Sequence, residues 1–179
     1  MGRGLVLQAT ITKSFYERPF TLLLTRINYR GNGSPVPTMN VKELRKDRTT
    51  RKGWVRKLDE IVSEIVRLRD KKSVTSGETE KLTCSHLFSR VAYSTRWEML
   101  NCHAQTLSEN FRHEYDPYPY TQWFIKEYGQ EAYDNLHRQY VTPVQFKTWQ
   151  LKVLYEQLKT VKQSLIQKDI VAKLNLAGI

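Results

Sequence analysis

Cys84-Ser85-His86-Leu87-Phe88-Ser89-Arg90 is followed by Ser94-Thr95-Arg96-Trp97, then by Asn101-Cys102-His103-Ala104-Gln105, and finally by Asn110. Each element is weak alone, because a lone His is usually a surface or satisfied core residue and a lone Asn a cap or turn residue. Together they form a His…Asn…Asn series. Residues 73–105 alternate short apolar pieces with turn residues, which predicts a small hairpin, and a helical zone begins close to Leu107 or Ser108. Phosphodiester hydrolysis needs a base to activate water, a divalent cation to hold the phosphate, and groups that orient both. One His and one or two oxygen-bearing side chains meet those needs, so a constellation this small suffices.

Upstream of this stretch, Trp54, Leu58, Ile61, Ile65 and Leu68 recur at three- and four-residue steps, which predicts an amphipathic helix ending near Asp70-Lys71-Lys72. Just before it, residues 41–57 carry Lys42, Arg45, Lys46, Arg48, Arg51, Lys52, Arg56 and Lys57 against only Glu43 and Asp47. Such a run is either a solvated face or an arm that tracks phosphates. Downstream, Pro117 and Pro119 interrupt the helical pattern, which resumes at Tyr120, Trp123, Phe124 and Tyr128 before Gly129. Thr142-Pro143-Val144-Gln145 has the form of a capping box that opens a last helix, with Trp149, Val153, Tyr155, Leu158, Val161 and Leu165 as its apolar face. His137 lies in a charged helical stretch and reads as a surface residue.

The first thirty residues read as β structure. Leu5, Leu7, Ala9 and Ile11 alternate, and Phe20–Ile27 is a second β-prone run. Gly31-Asn32-Gly33-Ser34-Pro35-Val36-Pro37 gathers turn formers into a linker. The expected organisation is therefore a β-rich extension and linker over 1–40 and a nucleic-acid-binding domain with C-terminal helices over 41–179. Residues 1–40 either dock a partner protein by strand addition or cover the core as an ordinary hairpin.

The chain of 179 residues has 40% hydrophobic and 11% aromatic residues, enough for a packed core. Its formal net charge of +11 suits a polyphosphate partner, since each Lys or Arg set on a phosphate releases condensed counterions. Two cysteines, Cys84 and Cys102, cannot build a disulfide framework or a four-thiolate zinc site and point to a reducing compartment. They read as packed small residues. No run approaches the roughly 18 apolar residues of a membrane span. Polar residues interrupt the only apolar stretch near Met1, and Val6 breaks the myristoylation pattern.

The central stretch resembles the NinG (Rap) family of phage recombination nucleases, which are of the HNH, or ββα-metal, type. The family's entry is matched by His86, Ser89 and Arg90, its next step by Thr95, Arg96, Trp97 and Glu98, and its exit by Asn101, His103, Ala104, Gln105 and Asn110. The likeness continues upstream through Leu58–Asp70 and downstream at Lys126-Glu127-Tyr128-Gly129, covering about residues 52–165. The resemblance implies an α+β fold in which a small ββα-metal core is flanked by long helices, here with an added N-terminal β segment. It implies an endonuclease acting on branched DNA such as Holliday junctions, in the cytoplasm of a phage-infected bacterial cell. The alternative is a catalytically inactive nucleic-acid-binding or assembly protein on the same fold. A two-fold substrate would favour a homodimer.

By the same resemblance His86 is the general base, Asn101 orients the hairpin, and Asn110 is the metal-side residue for Mg²⁺ or Mn²⁺, with Glu109 and His113 as further ligand candidates. Arg90 and Arg96 are phosphate contacts, and His103 is a hydrogen-bonding support. The family's two Cys-x-x-Cys pairs fall here on Ser73 and Ser76 and on Thr106 and Glu109. Hydroxyls do not replace thiolates as zinc ligands, so no structural zinc is expected. Aromatic helices, the N-terminal segment or a partner would then supply the stability that zinc gives the family.

Overall fold

Thr50 opens the first helix: its backbone is extended, and its side-chain oxygen accepts the Gly53 N–H at 3.1 Å. In this computed structural model, which describes residues 49–176, α1 (Arg51–Asp70) is followed by β1 (Leu82–His86), β2 (Cys102–Thr106), α2 (Leu107–Arg112), α3 (Tyr118–Tyr128), α4 (Gln130–Tyr140) and α5 (Thr148–Leu176). Among the described residues the fold is α+β, mostly helical with one two-stranded antiparallel sheet. The β-rich extension and linker expected over 1–40, and Arg45, Lys46 and Arg48, lie outside the described residues. No described helix is long and apolar enough to cross a membrane.

β1 and β2 form an antiparallel pair in which Cys84 faces Ala104, Ser85 faces His103 and His86 faces Cys102. Successive side chains point to opposite faces, so two sets of residues leave the hairpin in opposite directions. Cys102 and Ala104 enter a core with Trp54, Leu58, Ile61, Val62, Ile65 and Val66 of α1 and Leu151, Leu154 and Leu158 of α5. His103 enters the aromatic layer of α3, among Tyr120, Trp123, Phe124 and Tyr128. With both faces covered, all five residues of β2 are buried.

Asp70 ties the end of α1 to the open edge of β2, its Oδ2 accepting the Ala104 N–H at 2.7 Å. The Ala104 carbonyl accepts the Val74 N–H at 2.9 Å, so this short strand leaves neither of that residue's backbone groups unpaired. Arg69 adds bonds to the Met99 and Cys102 carbonyls.

Gly129 separates α3 from α4 with φ 88° and ψ 160°, a backbone region open essentially to glycine alone. The two helices then fold on each other around Phe124 and Leu136, joined by Leu87 and Tyr120.

Three sequence expectations need correction. The first helix starts at Arg51, not Trp54, because Thr50 supplies the cap, so the end of the basic stretch is helical. The last helix starts at Thr148, because Thr142 does not act as an N-cap: its hydroxyl bonds back to the Arg138 carbonyl at 2.7 Å, finishing α4. The chain between has no regular secondary structure, and buried Phe146 packs on Trp97 with ring centroids 6.0 Å apart. The buried face of α5 is Leu151, Leu154 and the expected Leu158, with Tyr155, Val161 and Leu165 packed alongside as expected, whereas Trp149 is exposed. Contact with α1 adds Leu151 and Leu154 to that face.

Candidate functional site

Asn101 is fully buried and holds the loop between the strands. Its Oδ1 accepts the Phe88 N–H at 2.8 Å, and its Nδ2 donates to the Phe88 carbonyl at 2.9 Å and the Thr95 carbonyl at 3.1 Å. Its own carbonyl accepts the Leu87 N–H at 2.8 Å. One carboxamide therefore fixes the chain two residues after His86 and again midway along the loop.

His86 stands half-buried at the end of β1, with Nε2 3.0 Å from the Arg96 carbonyl. A carbonyl only accepts, so Nε2 carries the proton, and in the neutral ring Nδ1 holds the lone pair. Burial lowers the pKa of this imidazole below 6.5, opposed by the Arg96 carbonyl and the Asp59 carboxylate. The ring is thus neutral at pH 7, the state a general base requires.

Asp59 of α1 organises the loop from the other side. Arg96 grips it through two bonds of 2.8 and 2.7 Å, and the Trp97 indole N–H donates to the same carboxylate at 2.8 Å. Arg96 also donates to the Arg90 carbonyl at 3.0 Å. The guanidinium read as a phosphate contact is therefore an internal strut, while the side chain of Arg90 remains exposed. Asp59 lies beside the apolar stripe of α1, and a carboxylate flanked by Leu58, Ile61 and Val62 was the available sign of a buried partner.

α2 begins directly where β2 ends, through a capping box between Thr106 and Glu109. Glu109 does more than cap: its carboxylate accepts from Ser73 Oγ and Thr75 Oγ1, both at 2.7 Å, and from the Thr106 N–H and hydroxyl, both at 2.8 Å. Burial pushes its pKa up, but these four hydrogen bonds overcome that and hold it at about 2. A carboxylate–hydroxyl clip thus joins the 73–76 turn to the strand–helix junction, a source of stability that sequence reasoning missed. Glu109 lies in this clip rather than among the groups that His86 touches.

Because the folded carboxyl has the lower pKa, the clip is fully present above the ordinary value of 4.5 and is lost as pH falls towards 2. Glu109→Ala is expected to lower unfolding free energy by about 2 kcal/mol at pH 7, the low end for bonds to a charged group on a half-exposed residue. Urea melts at stepped pH would show the gap to the unaltered protein closing below pH 4.5. A gap that does not depend on pH would count against the clip.

His113 caps the C-terminus of α2 and bonds through Nε2 to the Leu87 carbonyl at 3.1 Å, one residue past His86. Its Nδ1 is buried without a hydrogen-bond partner. Asn110, half-buried, lies three residues earlier on the same helical face. His103 bonds the hydroxyls of Tyr120 at 2.8 Å and Tyr128 at 3.3 Å, and burial drives its pKa far down. Its support goes to the aromatic layer.

Of the basic residues, Arg51 bonds the Phe146 carbonyl and lies over Tyr93, and Lys57 covers the Trp54 ring at 4.4 Å. Arg56 pairs with Glu60 at 3.6 Å, and Lys52 is exposed. These cations lie along the first turns of α1.

On the α1 face of the hairpin, the donor atoms of Cys84, His86 and Cys102 lie within 4.8 Å of one another, the one such His/Cys/Asp/Glu group among the described residues. Both cysteines are free thiols. The spacing Cys-x-His within a strand, which turns both side chains to one face, was the sequence signal for it.

The chain matches no family model, no curated protein and no solved structure.

Proposed function

We propose that this chain is a metal-dependent endonuclease that hydrolyses phosphodiester bonds in branched or structured DNA, with β1, β2 and α2 as a ββα-metal core of the NinG/Rap kind. The observation that carries the reading is the loop lock made by Asn101. A strand ending in a neutral His, a loop pinned by a buried Asn, and a return strand running straight into a helix with Asn110 reproduce the order of the His…Asn…Asn series. The net charge of +11 supports a nucleic-acid substrate.

Within this reading His86 Nδ1 takes the proton of an attacking water, while Nε2–H on the Arg96 carbonyl holds the ring in the required tautomer. Asn101 keeps the loop from carrying that carbonyl away. Asn110 and His113 would hold the divalent ion. The buried, unpartnered Nδ1 of His113 fits a metal ligand, whereas the oxygens of Glu109 are already taken by the clip. When bound, the ion supplies charge stabilisation at the phosphate. A nitrogen ligand suits Mn²⁺ better than Mg²⁺, which prefers oxygen.

One observation favours a binding-only alternative: Arg96 is committed to Asp59 and leaves Arg90 to meet phosphate from the loop. The test is purified protein with labelled four-way junction DNA in Mn²⁺, Mg²⁺ or chelator. We expect cleavage with Mn²⁺ exceeding that with Mg²⁺ and none in chelator. DNA retention that is equal in all three conditions, with no cut strand in any, would establish the binding-only alternative.

A further inference from the structure

We infer that Cys84, His86 and Cys102 form a second, thiophilic metal site whose fitting occupant is Zn²⁺. The inference does not depend on nuclease activity. His86 and Cys102 are directly opposed across the hairpin, and Cys84 stands two residues before His86 on the same face. Their donor atoms already lie within 4.8 Å of one another. Tetrahedral zinc with bonds of about 2.3 Å to sulfur sets its sulfurs about 3.8 Å apart, so side-chain adjustments of roughly 1 Å close the site.

The surroundings suit this ion. Cys102 is fully buried and Cys84 half-buried, both thiols are free, and two thiolates with one Zn²⁺ sum to no net charge, as a buried site requires. The Arg69 guanidinium donates to the Cys102 carbonyl at 2.7 Å and places positive charge beside that thiol. On binding, both thiol protons leave to solvent as the metal–sulfur bonds form. Three protein ligands leave a fourth position for water or a small anion. Sulfur disfavours Mg²⁺ and Mn²⁺, so the site is chemically distinct from Asn110 and His113. An imidazole whose lone pair is on zinc has none for water, so zinc-bound and hydrolytic states of His86 exclude each other.

The test is titration of the chelator-stripped, reduced full-length protein with Co²⁺, without DNA, so that its outcome is separate from any cleavage result. Expected are one thiolate-bound Co²⁺ per chain, visible bands of tetrahedral cobalt with a thiolate-to-cobalt charge-transfer band, and displacement of both by Zn²⁺. Cys84→Ser, at a half-buried position, and His86→Ala are each expected to weaken binding by more than the roughly tenfold that loss of an outer partner costs. His113→Ala leaves the thiolate-to-cobalt charge-transfer band unchanged. Circular dichroism verifies that each variant is folded. Absence of the charge-transfer band in the folded protein, or an undiminished band in folded Cys84→Ser, overturns the site.

Discussion

His86→Ala is expected to slow junction cleavage by about 10²- to 10⁴-fold, the contribution of a positioned proton acceptor. DNA affinity at matched salt should stay within about a factor of two, since in the proposed function phosphate contacts rather than this ring carry it. The Arg96 carbonyl loses one partner, a cost of about 1 kcal/mol, too small to unfold a domain with two hydrophobic cores. The pH profile gives an independent check. Burial places the folded pKa below 6.5, and only the neutral ring accepts a proton. Activity should therefore level off towards neutral pH and fall on the acid side, with the midpoint below 6.5. A midpoint above 6.5, or cleavage undiminished in the alanine variant, would remove His86 from the reaction.

The largest stability effect is expected at Asn101. Truncation to alanine removes three side-chain hydrogen bonds at a buried site and leaves the Phe88 amide and carbonyl unmet, while the Thr95 carbonyl keeps the Glu98 N–H. With about 1 kcal/mol net per bond and a further penalty for buried groups left unpaired, a loss of about 3 kcal/mol or more follows. Asn101→Asp keeps the acceptor for Phe88 N–H but sets a carboxylate against two carbonyl oxygens, so it should be no milder. Urea unfolding reads both variants, and a loss below about 1 kcal/mol for the alanine variant would mean that other contacts hold the loop. Because the loop also carries the carbonyl that orients His86, folded material of either variant should cleave more slowly than its folded fraction accounts for.

Much of the scaffold was legible in the chain. The stripe from Trp54 to Ile65 faces the core as its spacing requires, and turn residues around short apolar pieces marked the hairpin. Asn101 stood in the sequence as a polar residue before a strand; its three loop bonds came into view only with the fold. Less visible was anything that depended on which distant residue arrives at a given face. Thr142-Pro143-Val144-Gln145 carries a sound local capping signal, yet the chain needs those residues to bring Phe146 to Trp97, and burial of an aromatic ring outweighs one cap.

By itself, the order of residues determined helix and strand periods, the positive charge, and the placing of His86, Asn101 and Asn110 along a strand–loop–strand–helix path. Tertiary packing alone decided that Glu109 gathers Ser73, Thr75 and Thr106, that Arg96 holds Asp59, and that Cys84, His86 and Cys102 converge. The physical reason is range. Periodicity and capping act over a few neighbouring residues and can be read locally. Pairing of buried polar groups is settled only when separate segments meet and each desolvated donor or acceptor takes whatever partner the fold brings within reach.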